Sequence, residues 1–352
     1  MGSSSSLPSA SLPPQFARLP KAELHLHLEG SIAPATVVAL AARYGDVVSE
    51  AEVALRYSAG NFVAFIEAYK WVTSYLRAPA DYALVVRDLA EQLLAQNVVY
   101  AEVTISAGVM AWRRQDIEGN YRAIREAALA FEPRGLRMQW IPDAVRQFGA
   151  GPAMEIARCA VNLRHDGVVA FGLGGDELAT PTAEFRPAYE LAAAHGLHRV
   201  AHAGEIGGPE SIREAIELLG AERIGHGIAG ARDQRLMQLL AERSISLEIC
   251  PTSNIRTGAL ARQLNRPEVS VADHPLAHLL HAGVPVNLST DDPAMFETSL
   301  SREYGLLPGM GLTPPEIVGI AQAAFEQAFL RPDDKSALLA AFRTQAIALG
   351  LL

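Results

Sequence analysis

The chain has 352 residues, of which 49% are hydrophobic and 20% charged, and its formal net charge is -9. It is long enough to bury a large core, and its scattered basic residues exclude a nucleic-acid backbone as the expected partner. The two cysteines, Cys159 and Cys250, are too few for a disulfide framework, and no apolar run reaches the roughly 18 residues of a membrane span, so we expect a cytoplasmic protein without a membrane partner.

The N-terminal segment, residues 1–17, is rich in Ser and Pro and lacks the basic start and apolar run of a signal peptide. We predict that this segment is disordered. Residues 18–352 are expected to form a single domain, because α/β barrels of this length fold as one unit although length alone would allow two.

Eight short apolar and β-branched runs alternate along the chain with stretches of helical periodicity. The predicted strands are 22–28, 98–106, 137–143, 168–172, 199–202, 224–226, 246–249 and 284–289. The predicted helices between them include 82–96, 120–131, 153–163, 211–219, 233–242 and 274–281. This alternation predicts an α/β fold with a parallel sheet. Eight strands favour a closed (β/α)8 TIM barrel, although a doubly wound open sheet would alternate similarly.

Two regions lie outside the simple alternation. Residues 61–76, after the first strand, are aromatic-rich and helical in pattern, and they form either a core helix or a lid over an apolar pocket. Residues 314–329 and 332–349 are predicted to form extra helices at the C-terminus.

Polar side chains follow the predicted strands where each one ends. These residues are His27, Ser106, Arg146, Asp176, Glu205, His226, Ser253 and Asp291. In a barrel, the carboxyl ends of all strands converge on one mouth, where catalytic groups lie. The ends of eight strands in an open sheet do not converge, so this pattern favours the barrel.

The first strand, within AELHLHLEGS, carries His25 and His27 two residues apart. Alternate residues of a strand point to the same face, so the two imidazoles lie side by side. With His202 and Asp291, also at strand ends, they form a set of three nitrogens and one oxygen that suits one Zn²⁺ and leaves room for water. The ligand types leave Fe²⁺ or Mn²⁺ open.

Hydrolysis by an activated water requires a general acid or base nearby, and Glu205 and His226 are the candidates. Asp292, the neighbour of Asp291, is a candidate for orienting a substrate nitrogen. Six other histidines are expected to be ordinary residues of the surface or of helix ends. They are His165, His195, His198, His274, His278 and His281.

Five motifs, in this order, resemble the adenosine deaminase family of the amidohydrolase superfamily: LPKAELHLHLEGSI, HAGE, RIGHG, SLEICPTSN and STDDPAMF. The resemblance runs from residue 19 to residue 349. It implies a (β/α)8 barrel with one catalytic metal, usually zinc, and the hydrolytic removal of the 6-amino group of an adenine ring.

The resemblance also implies a role for each matching residue. The metal ligands would be His25, His27, His202 and Asp291. Glu205 would protonate purine N1, His226 would orient the water and help to deprotonate it, Asp292 would bond N7, and the backbone N–H of Gly175 would bond N3.

Two departures from the family pattern concern the substrate. Glu29 stands where an Asp that contacts the 5′ end of the ribose is usual, and residues 172–177 read GLGGDE where the family has DLAGDE. The predicted substrate is therefore adenosine or a derivative such as 6-aminodeoxyfutalosine, whose 5′ carbon bears an aryl ketone carboxylate. We expect Arg146 to pair with that carboxylate.

Three alternatives remain open at this point. The enzyme could act on free adenine, or it could catalyse another amidohydrolase reaction, against which the spacing of Glu205 and His226 argues. The chain could also be a non-catalytic binding relative, but it retains every ligand and Glu205. The expected partner is a small purine nucleoside, and the sequence indicates no oligomeric state.

Overall fold

The computed structural model describes residues 14–58 and 62–352. Eight strands form one sheet in the order β1 to β8, and every neighbouring pair is parallel. The strands are β1 Lys21–His27, β2 Val98–Ile105, β3 Arg137–Val145, β4 Ala170–Gly174, β5 His198–Ala203, β6 Arg223–His226, β7 Ser246–Ile249 and β8 Val286–Leu288.

The chain just after β8 closes the sheet onto β1. The backbone N–H of His27 donates to the carbonyl of Asp291 at 2.8 Å, and the N–H of Asp291 donates to the carbonyl of His25 at 3.0 Å. Leu26 and Asp291 thereby form a parallel bridge. The predicted (β/α)8 barrel is confirmed, and its closure brings the two histidines of β1 next to Asp291.

Helices surround the barrel. They are α1 Pro14–Ala17, α2 Pro34–Arg43, α3 Glu50–Tyr57, α4 Phe62–Thr73, α5 Pro79–Ala95, α6 Ala107–Trp112, α7 Ile117–Leu129, α8 Ala150–Leu163, α9 Arg186–Ala194, α10 Pro209–Leu219, α11 Gln234–Glu242, α12 Pro251–Arg256, α13 Ala259–Leu264, α14 Leu276–His281, α15 Leu300–Leu306, α16 Pro314–Gln327 and α17 Pro332–Ala348. The main core lies between these helices and the strands.

The predicted extra helices after the first strand and at the C-terminus are present. Of the predicted helix 61–76, Asn61 lies outside the described residues, and α4 covers Phe62–Thr73. Its Ala68, Val72 and Thr73 are buried, while Phe65 stacks on Phe296 with ring centroids 5.0 Å apart. The helix therefore both packs on the barrel and forms a wall of the central cavity described below.

Residues 1–13 of the segment predicted to be disordered lie outside the described residues. The remaining Pro14–Ala17 form one helical turn, α1, because Phe16 packs into the core with only 5% of its surface exposed. Across residues 14–58 and 62–352, none of the helices combines the length and apolar character needed to cross a membrane.

Most strand boundaries differ from the prediction by one or two residues, and two of these differences bear on the site. β3 continues two residues past 143 to Val145, and β4 runs from Ala170 to Gly174 rather than over 168–172. Because alternate residues of a strand face alternate sides, the odd positions of β3, such as Ile141 and Asp143, face the barrel interior. This alternation determines where Arg146 points.

Candidate active site

Three histidines and one aspartate meet at the carboxyl ends of β1, β5 and β8. One ligand-type atom from each of His25, His27, His202 and Asp291 lies within 4.8 Å of the others, and such a group could hold a metal ion. Asp291 Oδ1 lies 3.3 Å from His25 Nε2 and 3.2 Å from His27 Nε2. The structure thus brings together all four residues that the sequence predicted as ligands.

The imidazole rings present their Nε2 atoms to the centre of this group. His25 Nδ1 is held by Glu248 Oε2 at 2.7 Å, and His202 Nδ1 by the carbonyl of Leu173 at 3.1 Å. With Nδ1–H donating outward, a neutral His25 and a neutral His202 each direct an Nε2 lone pair inward. His25 Nε2 is buried without a hydrogen-bond partner among the described residues, and His27 Nε2 lies only 3.2 Å from His202 Nε2. Lone pairs facing one another in this way fit a bound divalent cation.

A line of buried charges supports His25 from inside the barrel. Glu248 accepts from Arg223 Nε at 2.6 Å, and Arg223 Nη2 reaches Glu102 at 2.5 Å. All three side chains are at most 2% exposed. Burial opposes ionisation of Glu248, but the charge of Arg223 and the contact with His25 outweigh it and lower its pKa. Glu248 is therefore an anion that fixes the orientation of the His25 ring.

Two residues of the site adopt a left-handed backbone conformation. His226 has φ 61° and Asp291 has φ 69°. Non-glycine residues rarely occupy this region, and where they do, the surrounding structure must impose it. For Asp291, the two backbone hydrogen bonds that close the barrel onto β1 impose this conformation.

Glu205 follows β5 on a loop that other side chains hold in place. The carboxylate of Glu177 accepts the backbone N–H groups of Gly204, Ile206 and Gly207 at 2.5 to 2.9 Å. Gln263 donates to the carbonyl of Glu205 at 2.7 Å. Burial, and then the charge of Asp291, raise the pKa of Glu205 to about 8. Its carboxyl group can therefore carry a proton at neutral pH.

His226 belongs to a buried chain of hydrogen bonds. Its Nδ1 accepts from the amide of Asn254 at 3.1 Å, and the Asn254 oxygen faces His274 Nε2 at 3.2 Å. This pattern assigns the proton of neutral His226 to Nε2, which points at Glu205 Oε2 at 3.7 Å. Burial lowers the pKa of both histidines to about 3, so both are neutral.

The expectation that His274 is an ordinary surface or helix-end residue was wrong. Its side chain is 4% exposed, because Asn254 and the N–H of Leu276 satisfy both ring nitrogens inside the protein.

Asp292 lies beside the cluster, and its Oδ1 is buried without a hydrogen-bond partner within residues 14–58 and 62–352. Burial, and then the charge of Asp291, raise its pKa well above the ordinary value. Gly30 makes room for it, because a Cβ at that position would lie 1.7 Å from Asp292 Oδ1. Similarly, a Cβ on Gly225 would lie 2.6 Å from the ring of His25, so this glycine makes room for the ligand-type histidine.

A cavity of about 390 Å³ opens onto the cluster. Its floor includes five predicted site residues, namely His27, His202, Glu205, His226 and Asp291, and its sides include Gly175 and Asp292. Aromatic and apolar side chains surround the outer part: Phe62, Phe65, Ile66, Val109, Trp112 and Phe148. A cavity of this size suits a small organic molecule with a polar head held at its floor.

Two predicted substrate-binding residues lie outside this cavity. Arg146 is 1% exposed and donates to the carbonyl of His202 and to Thr182, because its even position turns it away from the barrel interior. The carboxylate of Glu29 accepts the N–H of Ser106 at 3.1 Å and contacts Tyr69, and both of these neighbours line the cavity.

Another arginine lines the cavity instead. The guanidinium of Arg113 donates to the carbonyls of Thr73 and Lys70 and to the Thr73 hydroxyl, all of which are neutral acceptors. The sequence offered one sign of this residue, since Trp112 and Arg113 follow the second strand on a short apolar helix, but nothing identified which side they face.

Sequence reasoning also missed four residues that support or line the site. They are Asp143, Glu177, Glu248 and Asn254. Asp143 and Glu248 were visible as carboxylates inside predicted apolar strands, which are costly to bury without a function. No signal in a single sequence assigned Glu177 and Asn254 to Glu205 and His226.

A (β/α)8 barrel with a His, His, His, Asp group at the carboxyl ends of its strands defines a metal-dependent hydrolase of the amidohydrolase type. The adenosine deaminase family model matches residues 20–345. The chain belongs to the adenosine deaminase family, and it is a hydrolytic deaminase, as its motifs predicted.

Two relatives and one solved structure illustrate the similarity. An aminodeoxyfutalosine deaminase from Streptomyces coelicolor is 40% identical over 329 residues, 91% of this chain and 83% of the relative. An adenine deaminase from Agrobacterium fabrum is 34% identical over 333 residues, 92% of this chain and 98% of the relative. The crystal structure of an amidohydrolase from Burkholderia ambifaria with bound Zn aligns with a TM-score of 0.87 at 27% identity, covering 99% of this chain and 97% of that chain.

Proposed function

We propose that this protein hydrolytically deaminates 6-aminodeoxyfutalosine, an adenine nucleoside with an aryl ketone carboxylate on its 5′ carbon, in menaquinone biosynthesis. The observation that carries this proposal is the position of Arg113, whose hydrogen bonds go to neutral acceptors, on the wall of an aromatic cavity whose floor is the metal-type cluster. The relatives support it, because the three aminodeoxyfutalosine deaminases are 38 to 40% identical to this chain.

We assign His25, His27, His202 and Asp291 as the ligands of one Zn²⁺. The fit rests on the inward-facing Nε2 atoms and on the mixed nitrogen and carboxylate donor set. When bound, the ion would lower the pKa of a water molecule and so supply the hydrolytic nucleophile at neutral pH.

Glu205 supplies the proton that activates the ring. Its carboxyl group is protonated at neutral pH and donates to N1 of the purine, which makes C6 electrophilic. Water adds its oxygen to C6, the C6–N6 bond breaks, and the amino group leaves as ammonia after taking up a proton. The product is the 6-oxopurine, and no oxidant or reductant is required.

Three further groups orient the reactants. His226 donates its Nε2–H toward the attacking oxygen and stabilises the charge that develops there. Asp292, whose pKa is raised, donates a hydrogen bond to N7, and the backbone N–H of Gly175 donates one to N3. N7 and N3 each have a free lone pair that can accept these hydrogen bonds.

The outer cavity suits the 5′ aryl carboxylate. Phe65, Trp112 and Phe148 offer flat apolar surfaces to an aromatic ring, and Trp112 and Phe148 are themselves stacked at 5.9 Å. Arg113 can pair with the carboxylate, because its present hydrogen bonds go to neutral acceptors. Arg113 replaces Arg146 in this role.

Free adenine is the second candidate, since adenine deaminases are 33 to 35% identical to this chain. The deaminating groups would serve both substrates. An adenine base, however, would leave the aromatic outer cavity and Arg113 without a partner.

The test is a panel of substrates on the metal-loaded protein, with ammonia release giving kcat/KM. We expect 6-aminodeoxyfutalosine to exceed adenosine, 5′-methylthioadenosine and adenine by at least about tenfold, or about 1.4 kcal/mol. A higher value for adenine or adenosine would overturn the proposed substrate.

Arg113→Gln should reduce kcat/KM for 6-aminodeoxyfutalosine by about 10- to 100-fold and leave adenosine nearly unchanged. The neighbouring Arg114, which is exposed and outside the cavity, provides the matched control Arg114→Gln. Equal losses on both substrates in the Arg113 variant would instead mean that Arg113 only holds α4 in place.

A further inference from the structure

Asp143 is a buried carboxyl group that the proposed mechanism does not use. It lies on β3, is 3% exposed, and lines the central cavity. Its Oδ1 has no hydrogen-bond partner in the part of the chain that the structure describes. A buried polar atom without a partner costs free energy, so a residue of this kind in a binding cavity points to a ligand that satisfies it.

The surroundings of Asp143 fix the part of the cavity that it faces. It lies against β4, where a Cβ on Gly174 would come within 2.9 Å of its Oδ2. Gly175, the next residue, lines the same cavity. Burial, and then the charge of Glu29, raise the pKa of Asp143 well above its ordinary value. No cationic side chain forms an ion pair with Asp143 within residues 14–58 and 62–352.

The chemistry of a purine nucleoside indicates what lies beside Gly175. If its N–H bonds N3, the next atoms of the substrate are C4, then N9, then the sugar. Asp143, on the neighbouring strand β3, is then available to the sugar. A hydroxyl group can both donate and accept, so it can satisfy the carboxyl group of Asp143 whether or not that group is ionised.

We propose that Asp143 binds a ribose hydroxyl of the substrate and so selects nucleosides over the free base. The assignment rests on the proposed placement of the purine against Gly175, and it adds a sugar-binding residue to that site. It also gives this enzyme a means of discriminating against adenine, because an unfilled position beside Asp143 leaves a buried carboxyl group unsatisfied.

The test compares ligands that share a base and differ in the sugar. For adenosine, 2′-deoxyadenosine, 3′-deoxyadenosine and adenine, we would measure kcat/KM with the wild type and with Asp143→Ala and Asp143→Asn. We expect the wild type to lose at least about tenfold when the contacted hydroxyl is removed. In Asp143→Ala that preference should disappear.

Binding measurements separate this proposal from the proposed function. Inosine and 2′,3′-dideoxyinosine can be titrated by calorimetry without any turnover, so the hydroxyl contribution is measured even if 6-aminodeoxyfutalosine is not the substrate. Loss of the difference in Kd in Asp143→Ala supports the assignment. A parallel loss of affinity for both ligands, or an unchanged difference, overturns it.

Asp81 provides the matched control. It is also a buried aspartate, 1% exposed, but Arg43, Tyr44 and two backbone N–H groups satisfy its carboxylate far from the cavity. Asp81→Asn should lower stability without changing the preference for the hydroxyl. If Asp81→Asn changes that preference as Asp143→Asn does, the effect is one of general destabilisation and the assignment is overturned.

Discussion

Nδ1 of His25 lies 2.7 Å from Oε2 of Glu248, and the other oxygen of that carboxylate lies 2.6 Å from Nε of Arg223. The contact with Glu248 places the proton of the His25 ring on Nδ1, because a carboxylate can only accept a hydrogen bond. In the neutral imidazole that a metal ligand requires, Nε2 then carries the lone pair that faces His27, His202 and Asp291. Glu248 and Arg223, which lie beneath the cluster, thus determine the orientation of the His25 ring.

The first prediction concerns this contact. Glu248→Gln should weaken metal binding by about 10- to 100-fold, because an amide can no longer fix the ring as an anion does. Metal retained against chelators of graded strength measures the effect. Glu222→Gln removes a similar carboxylate–histidine contact, to His198 at 2.8 Å on the outside of the barrel, and should leave metal binding unchanged. Equal metal retention in wild type and Glu248→Gln would contradict the role of Glu248.

The second prediction concerns the tautomer of His226. Asn254→Asp places a carboxylate at Nδ1, which moves the ring proton from Nε2 to Nδ1. We expect kcat to fall by about 100-fold with metal content intact, since the donor toward the attacking oxygen is lost. Asn120→Asp, at another buried amide, is the control. An unchanged kcat in Asn254→Asp would argue against His226 as a donor.

The third prediction concerns the pH dependence of catalysis. Glu205 must carry a proton, and its pKa is raised to about 8, so kcat/KM should be constant below that value and fall as the pH rises through it. Glu205→Gln should abolish nearly all turnover while metal content stays the same. A pH profile and metal analysis test both statements. Substantial turnover by Glu205→Gln would remove Glu205 as the proton donor.

The fourth prediction concerns stability. Burial raises the pKa of Glu303 from 4.5 to about 7. A carboxyl group whose pKa is higher in the folded state contributes stability that is complete below pH 4.5 and is lost as the pH rises through about 7. The difference corresponds to as much as about 3 kcal/mol. Urea unfolding at pH 5 and pH 8 should show this loss in the wild type.

In Glu303→Gln, part of that loss should disappear, because the amide does not titrate and its oxygen can still accept the N–H of Thr252. Glu242→Gln, at a surface position, should retain the wild-type pH dependence. If Glu303→Gln also retains it in full, Glu303 is not the group responsible.

The fifth prediction uses the space beside Asp292. Gly30→Ala would place a methyl group 1.7 Å from Asp292 Oδ1, so the carboxyl group must move. We expect kcat/KM to fall by at least about tenfold through loss of the bond to the purine. Gly151→Ala, in α8 with open space around it, should have no effect. Equal activity of the two variants would show that Asp292 does not need its present position.

The sequence was sufficient to predict the fold and the centre of the site for physical reasons. Strands that alternate with helices pair in parallel, and residues two apart in a strand, such as His25 and His27, lie on the same face. Barrel closure then brought His202 and Asp291 to the same place. These are consequences of periodicity, which a single sequence contains.

The remaining parts of the site depend on distances in space. Arg146 follows its strand as the other site residues do, yet it faces outward because β3 runs to Val145 and keeps its alternation. The same alternation turns Asp143 inward. Alternation along β3 therefore predicts that Asp143, rather than Arg146, faces the cavity. Glu177 bonds to residues 27 to 30 positions away and Asn254 to a residue 28 positions away, and no periodicity relates them.

The buried charges beneath His25 end at the opposite face of the barrel. Phe329 covers the guanidinium of Arg223 at 3.7 Å, and its backbone N–H donates to Glu102. None of these residues contributes to the walls of the substrate cavity. Mutation at this distant face can therefore tune reactivity without altering the cavity, while mutation at Arg113 or Trp112 would, for the proposed substrate, alter choice without touching the metal site. Rate and specificity can thus diverge separately during the evolution of this barrel.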